Sequence, residues 1–186
     1  LVTADLLKEI ERDIIKPTIA GMNKEGHPYS GVLYVGLMIT ESGPKVVEYN
    51  CRLGDPECQV ILPRLKSDLL YLMNEAAHKR LYRNEIELSD EYFCTVVMVS
   101  GGYPGVYEKG KKITGLEDVD VLLFHAGTRA EGHEILTNGG RVLNVVGSGL
   151  TLRQAIDRAY SEIPKIHFDK AYYRNDIGAK GLKRLE

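Results

Sequence analysis

The sequence predicts an α+β fold with mixed or antiparallel sheets, on three observations. Strand-like and helix-like stretches alternate irregularly, without the steady strand–helix rhythm of a doubly wound sheet. Two strand-like stretches, residues 31–39 and 45–52, are joined by little more than Glu41-Ser42-Gly43-Pro44. That connection suits an antiparallel hairpin and is too short for a crossover helix. A second turn signal, Asn138-Gly139-Gly140, lies between strand-like residues 133–137 and 141–146 and predicts another hairpin.

Taken in order, Thr3 caps a first helix from about Ala4, with Leu6, Leu7, Ile10, Ile14 and Ile15 as its apolar stripe. Pro17 should kink or divide this helix, and Gly21 should end it. Residues 23–30 read as a turn-rich loop. Residues 31–39, GVLYVGLMI, read as a central strand and residues 45–52 as its hairpin partner. A short helix over residues 57–65 and a second one capped by Ser67 or Asp68 follow. The second carries a core-like stripe of Leu69, Leu70, Leu72, Met73, Ala76, Ala77 and Leu81. A boundary or crossover is placed within residues 82–90. Strands follow at residues 92–100, 119–126, 133–137 and 141–146, with a short one at 166–168. A helix capped by Thr151 presents Leu152, Ala155, Ile156, Ala159, Tyr160 and Ile163 and is limited by Pro164.

Composition narrows the function classes. The chain has 186 residues, enough for one medium domain or two small ones. Its 24 basic and 26 acidic residues give a net charge of −2, so no nucleic-acid or anionic-membrane footprint is expected. No apolar run approaches the roughly 18 residues of a transmembrane helix, and no secretory signal pattern opens the chain. Cys51, Cys58 and Cys94 lack zinc-site spacing and read as free thiols of a reducing compartment, hence a cytoplasmic protein. The chain opens in helical text without an initiating Met; the expectation is a piece of something longer.

The chemistry concentrates in residues 45–59, KVVEYNCRLGDPECQ. Strand alternation puts Val47, Tyr49 and Cys51 on one face and Val46, Glu48, Asn50 and Arg52 on the other. Glu48 and Asn50 are two residues apart, roughly 6.6 Å along a strand. Hard oxygen donors so placed suit Mg²⁺, which also takes phosphate oxygens and water. Arg52 is one step further, suited to fork onto a phosphate or carboxylate. The same pattern also describes a strand whose polar face meets water. Asp55-Pro56-Glu57 equally suits a helix start.

Elsewhere the signals are weaker. No GxxxxGK[ST] is present, and Gly147-Ser148-Gly149 does not complete GxGxxG. Gly101-Gly102-Tyr103-Pro104-Gly105 is a phosphate cradle or a plain tight loop. Arg141, after the double glycine, is an anion-binding candidate. Nothing brings His125 and His133 together, and no GxSxG anchors a nucleophile. Residues alone leave a non-catalytic interaction module open.

Residues 47–57, VEYNCRLGDPE, resemble the phosphoribosylamine–glycine ligase (glycinamide ribonucleotide synthetase) family. So do Pro28-Tyr29-Ser30-Gly31, Lys66-Ser67-Asp68-Leu69, the Gly101 loop, Phe124-His125-Ala126-Gly127-Thr128, residues 138–142, and Tyr173-Arg174-Asn175-Asp176-Ile177-Gly178, in family order. Residues 57–63, ECQVILP, look like the eukaryotic form, often fused to two further enzymes of purine synthesis. The resemblance implies the C-terminal half of an ATP-grasp region over residues 1–88 and a small mixed α/β C-terminal domain over 89–186. It implies ligation of glycine to 5-phosphoribosylamine, with ATP as co-substrate, through a glycyl phosphate, in the cytoplasm. It makes Glu48 and Asn50 ligands of Mg²⁺ (or Mn²⁺) bridging nucleotide phosphates. Arg52 becomes a catalytic cation near the phosphates. Asp55 becomes a catalytic and substrate contact, with Glu57, Arg141 and Arg174 also at the substrate. The nucleotide-grasping strands and N-terminal domain of the family are expected to precede Leu1. Tyr49 and Leu53 stand where relatives commonly carry phenylalanine. Another ATP-grasp carboxylate–amine ligase is the competing enzyme reading, against which Gly54-Asp55-Pro56-Glu57 and the Arg174–Gly178 tail discriminate.

Overall fold

The computed structural model describes residues 2–81 and 86–185. The boundary expected within 82–90 therefore falls partly outside the described residues. The chain divides into two compact units: Leu1–Asp55 with Leu65–Glu87, and Pro56–Arg64 with Leu88–Glu186.

In the first unit, α1 (Ala4–Ile10) is capped by Thr3, whose Oγ1 accepts from the Leu6 N–H at 3.2 Å. It runs through a π-helical turn (Glu11–Ile15) into α2 (Lys16–Lys24) without a break. Of the kink or division expected at Pro17, the division does not occur. Proline lacks the N–H an α-helix needs, and the wider π turn just before it, with Lys16 N–H bonded back to Glu11 O, absorbs the irregularity. Gly21 lies inside α2, not at its end. β1 (Tyr34–Thr40) and β2 (Gly43–Asn50) form an antiparallel hairpin, the only strands of their sheet among the described residues. The run at 31–39 is thus a hairpin arm and not a central strand.

The helix lies against β2 near both ends of the strand. Thr18 Oγ1 and Tyr49 Oη are 2.9 Å apart, and a Cβ on Gly43 would lie 2.8 Å from Glu9 Oε1. Ile10 and Ile14 are buried, but Val47 on the same strand face stays 66% exposed. The expected burial of the hairpin's apolar side is therefore only partial. Further on, α4 (Leu69–Ala77) is capped by Asp68, which accepts from Tyr71 N–H at 2.7 Å. Most of its expected core stripe is exposed as well, Leu70 at 77%, while Leu72 and Ala76 are half-buried. A two-stranded hairpin supplies too little sheet to cover both helical layers.

The second unit carries the main core. α3 (Cys58–Ile61) is a single turn. β3 (Tyr92–Ser100) alternates strictly, with Cys94, Val96, Met98 and Ser100 buried. β4 (Lys112–Ile113), β5 (Leu122–His125), β6 (Thr128–Glu131), β7 (Glu134–Thr137) and β8 (Arg141–Gly149) follow. Then come α5 (Leu152–Glu162), β9 (Ala171–Tyr172) and α6 (Ala179–Leu182). A four-stranded antiparallel sheet runs β5-β8-β3-β9, and a three-stranded one runs β4-β7-β6. Thr151 and Gln154 close a capping box at the start of α5. That helix lays Ala155, Ile156 and Ala159 against the sheet. A Cβ on Gly147 would lie 2.2 Å from Ala155 O, so the glycine lets strand and helix backbones meet. Gly147-Ser148-Gly149 is accordingly the end of β8.

Asn138-Gly139-Gly140 is not a hairpin. β7 and β8 belong to different sheets, and β6–β7 form the hairpin, turning at Gly132 with φ 60°. The double glycine serves close approach instead. Gly139 O accepts from Ser100 Oγ at 2.9 Å, and a Cβ on Gly140 would strike the Tyr103 ring at 2.1 Å.

Candidate functional site

The first unit positions the proposed cation ligands. The β1–β2 register shifts between Gly36 and Leu37, and Gly36 pairs with Glu48. A Cβ on Gly36 would lie 3.0 Å from Glu48 Cγ, so this glycine clears the space that the Glu48 side chain occupies. Glu48 and Asn50 share the strand face opposite the helix, with Asn50 Nδ2 donating to Glu48 Oε1 at 3.0 Å. Strand alternation thus brings the pair together.

This donor set fits a hard cation. The carboxylate offers oxygens directly, and turning the Asn50 amide over presents Oδ1 in place of Nδ2. Two protein oxygens suit Mg²⁺, which completes its shell with water and phosphate. Among the described residues no group of three or more His, Cys, Asp or Glu is placed to hold a metal by itself.

Arg52 departs from the expected row. β2 ends at Asn50, and Arg52 lies in the bend beyond it, with Nη1 donating to Leu53 O at 3.0 Å. Its orientation is set by this backbone tether and not by strand alternation. Asp55 is exposed in the following turn. Glu57, half-buried in the second unit, sits at the head of α3, and its carbonyl accepts from Val60 and Ile61 N–H, each at 3.1 Å.

The second unit holds a cavity of about 570 Å³, of ligand-pocket size. Its floor is the β3 face opposite α5, formed by Thr95, Val97 and Val99. Arg141 stands across the register from Val99 and shares the cavity with Arg174. The structure therefore brings these two candidate arginines to one concavity. Tyr103, Tyr172 and Tyr173 supply aromatic walls, and Pro56 completes one side. Thr95 Oγ1 is buried without a protein hydrogen-bond partner.

Arg174 is held by Asp176 through two bonds, Nε to Oδ1 at 2.8 Å and Nη2 to Oδ2 at 2.7 Å. The Arg174 hydrogen bond holds the Asp176 carboxyl below the usual range, and in return raises the Arg174 guanidinium. Burial pushes the Tyr160 hydroxyl up, opposed by the hydrogen bond it accepts from Ile177 N–H.

Other candidates dissolve into structure. In the Gly101 loop, Tyr103 N–H bonds Ser100 O at 3.1 Å and Gly105 N–H bonds Gly102 O at 2.8 Å, so these donors serve the turn and not a phosphate. His125 Nδ1 lies 3.1 Å from Thr128 Oγ1, while His133 sits in the β6–β7 turn. Tyr103 and Tyr173 fall within segments the sequence singled out, but Tyr172 and Thr95 were marked by no motif; only the alternation of β3 placed Thr95, Val97 and Val99 on one face.

Known proteins match both units. Family models for phosphoribosylglycinamide synthetase match the chain: the ATP-grasp (A) domain over residues 1–58 and the C domain over residues 93–180. A phosphoribosylamine–glycine ligase from Chlorobaculum tepidum is 48% identical over 186 residues, 98% of this chain and 44% of that protein. The trifunctional purine biosynthetic protein adenosine-3 of Gallus gallus is 47% identical over 188 residues, 99% of this chain and 19% of that protein. A crystal structure of phosphoribosylamine–glycine ligase from Thermotoga maritima aligns with a TM-score of 0.85 at 38% identity, covering 95% of this chain and 44% of that one. The chain thus spans less than half the length of these bacterial ligases.

The fold is the A and C domain architecture of an ATP-grasp ligase. The chain belongs to the phosphoribosylamine–glycine ligase family. Identities of 48% to the bacterial ligase and 47% to the trifunctional protein do not single out a eukaryotic form.

Proposed function

We propose that the protein ligates glycine to 5-phosphoribosylamine, with ATP converted to ADP and phosphate, giving glycinamide ribonucleotide. The observation that carries this reading is the match to both the A and the C domain of one ligase family, in order along the chain. In this reading the glycine carboxylate attacks the γ-phosphorus of ATP, forming glycyl phosphate and releasing ADP. The amine of phosphoribosylamine then attacks the acyl carbon; phosphate leaves, and the amine gives up a proton.

The first step needs no tuned general base, because a carboxylate is already a nucleophile. Orientation and fixed charge carry it instead. Glu48 and Asn50 would hold Mg²⁺ or Mn²⁺, which when bound neutralises charge on the nucleotide phosphates. Arg52, oriented by its bond to Leu53 O, would set positive charge near the transferring phosphoryl group. Asp55 would receive the glycine ammonium, with Glu57 bordering that site. Arg141 and Arg174 would take anionic groups of the substrates in the second unit's cavity.

No helix among the described residues is long and apolar enough to cross a membrane. We place the protein in the cytoplasm because its cysteines stand as thiols rather than disulfides, which suits a reducing compartment.

Trapping with hydroxylamine tests the intermediate. With full-length protein, ATP and glycine, but no phosphoribosylamine, the expected product is glycine hydroxamate. Turnover with both substrates but no hydroxamate, at any hydroxylamine concentration that leaves the protein folded, would count against a free acyl phosphate.

A further inference from the structure

The segment after β9 is fastened to α5 by contacts that the ligase reading leaves unused. Tyr160 Oη donates to Arg174 O at 2.6 Å and accepts from Ile177 N–H at 3.1 Å. One hydroxyl therefore ties both ends of the Arg174–Ile177 stretch. The Tyr160 and Tyr173 rings stand 6.3 Å apart, and Ile177 packs on the core. A Cβ on Gly178 would lie 2.3 Å from Ile156 Cδ1, so the chain passes against α5 at that point. Asp176, inside the fastened stretch, grips Arg174 side-on through Nε and Nη2.

Orientation is what this arrangement supplies. A guanidinium has five N–H donors in a rigid plane, and Asp176 takes two of them. Arg174 and Ile177 both line the cavity, and three guanidinium N–H donors remain beyond the two that Asp176 takes. The ion pair is solvent-exposed, with Arg174 and Asp176 side chains at 64% and 61% accessibility. Such a pair adds little to stability, yet a bidentate grip fixes the plane of the guanidinium.

We propose that Tyr160 and Asp176 are positioning residues, holding Arg174 to bind an anionic group of a substrate, phosphate or carboxylate, in the cavity of the second unit. The inference rests on the ligase reading, in which Arg174 meets substrate. Its anion comes from phosphoribosylamine, glycine or ATP, and kinetics separates these sources.

The test compares full-length wild type with Tyr160→Phe and Asp176→Asn, measuring kcat and the KM of each of the three substrates, together with thermal midpoints. The expected result is a rise of about tenfold in the KM of one substrate in both variants, with kcat within about twofold. Asp176→Glu, which keeps a carboxylate, should recover part of the loss. The substrate whose KM moves names the anion. Unchanged KM values overturn the proposal, as does a uniform loss of kcat and all affinities that tracks a fallen thermal midpoint. Calorimetric binding of ribose 5-phosphate and of glycine is read alongside. A wild type without turnover refutes the ligase reading; the inference then stands on calorimetry alone. It survives if either ligand binds wild type and weakens in both variants, and fails otherwise.

Discussion

Gly147→Ala is the sharpest structural perturbation available in the second unit. The new Cβ would lie 2.2 Å from Ala155 O, 2.5 Å from Ala159 N and 3.1 Å from Ala159 Cα. An ordinary carbon–oxygen contact is about 3.3 Å or more, so α5 must retreat from β8 by about 1 Å. The obstructing atoms are backbone, in a helix fixed by the Thr151–Gln154 capping box and by the burial of Ala155, Ile156 and Ala159. No side chain can swing aside to relieve them. Overpacking costs about 1–3 kcal/mol, and backbone obstruction puts this case near the upper end. At about 2–4 °C per kcal/mol for a chain of this size, the melting midpoint should fall by about 6–12 °C. Gly21→Ala is the matched control. It lies in α2 with nothing within 4 Å of an added Cβ, so helix propensity alone acts, stabilising by up to about 1 kcal/mol. Far-ultraviolet circular dichroism melts of both variants read the difference. A Gly147→Ala midpoint equal to wild type would refute the close-packing argument, as would equal destabilisation by the two substitutions.

Two further outcomes follow from the site. In full-length protein, Glu48→Gln or Asn50→Ala should lower kcat by at least about 100-fold through lost metal positioning; near-normal turnover at saturating Mg²⁺ would contradict the ligand assignment. The carboxyls of Asp176 and Glu162 are both held low, the first by Arg174 and the second by Lys165 and the Asp120 N–H. A carboxyl lowered by folding contributes stability that is fully present above its unfolded pKa, about 4, and lost as pH falls through the lower folded value. Melting midpoints should therefore drop from about pH 5 downward, with a smaller drop in Glu162→Gln. An equal pH dependence in that variant would remove Glu162 from the account.

Much of the fold was legible because it rests on local signals. The alternation of residues 92–100 marked β3 with its observed ends, and Thr151 followed by an apolar helical stripe marked α5. The pairing of Glu48 with Asn50 also followed from strand period alone. What the sequence misreported depended on tertiary context. Gly139 and Gly140 carry the composition of a hairpin turn but exist to let Ser100 and Tyr103 come close. The stripe of α4 has core-like spacing, yet no described layer covers Leu70. Arg52 misses the expected row because β2 stops two residues earlier, and a strand's end is set by its partner rather than by its own text. Residues 56–64 come only six residues after the Glu48 strand in sequence but cluster with the second unit. Tyr160 read as one more apolar position of α5, because a hydroxyl that ties a segment fourteen residues away leaves no local trace.

The ligase reading is tested most directly by measuring ADP release from full-length protein as glycine and phosphoribosylamine are supplied separately and together. The account predicts sustained ADP release only when ATP, Mg²⁺, glycine and phosphoribosylamine are all present, with glycinamide ribonucleotide formed in equal amount. Sustained release that ignores glycine, or none with all four present, would contradict it.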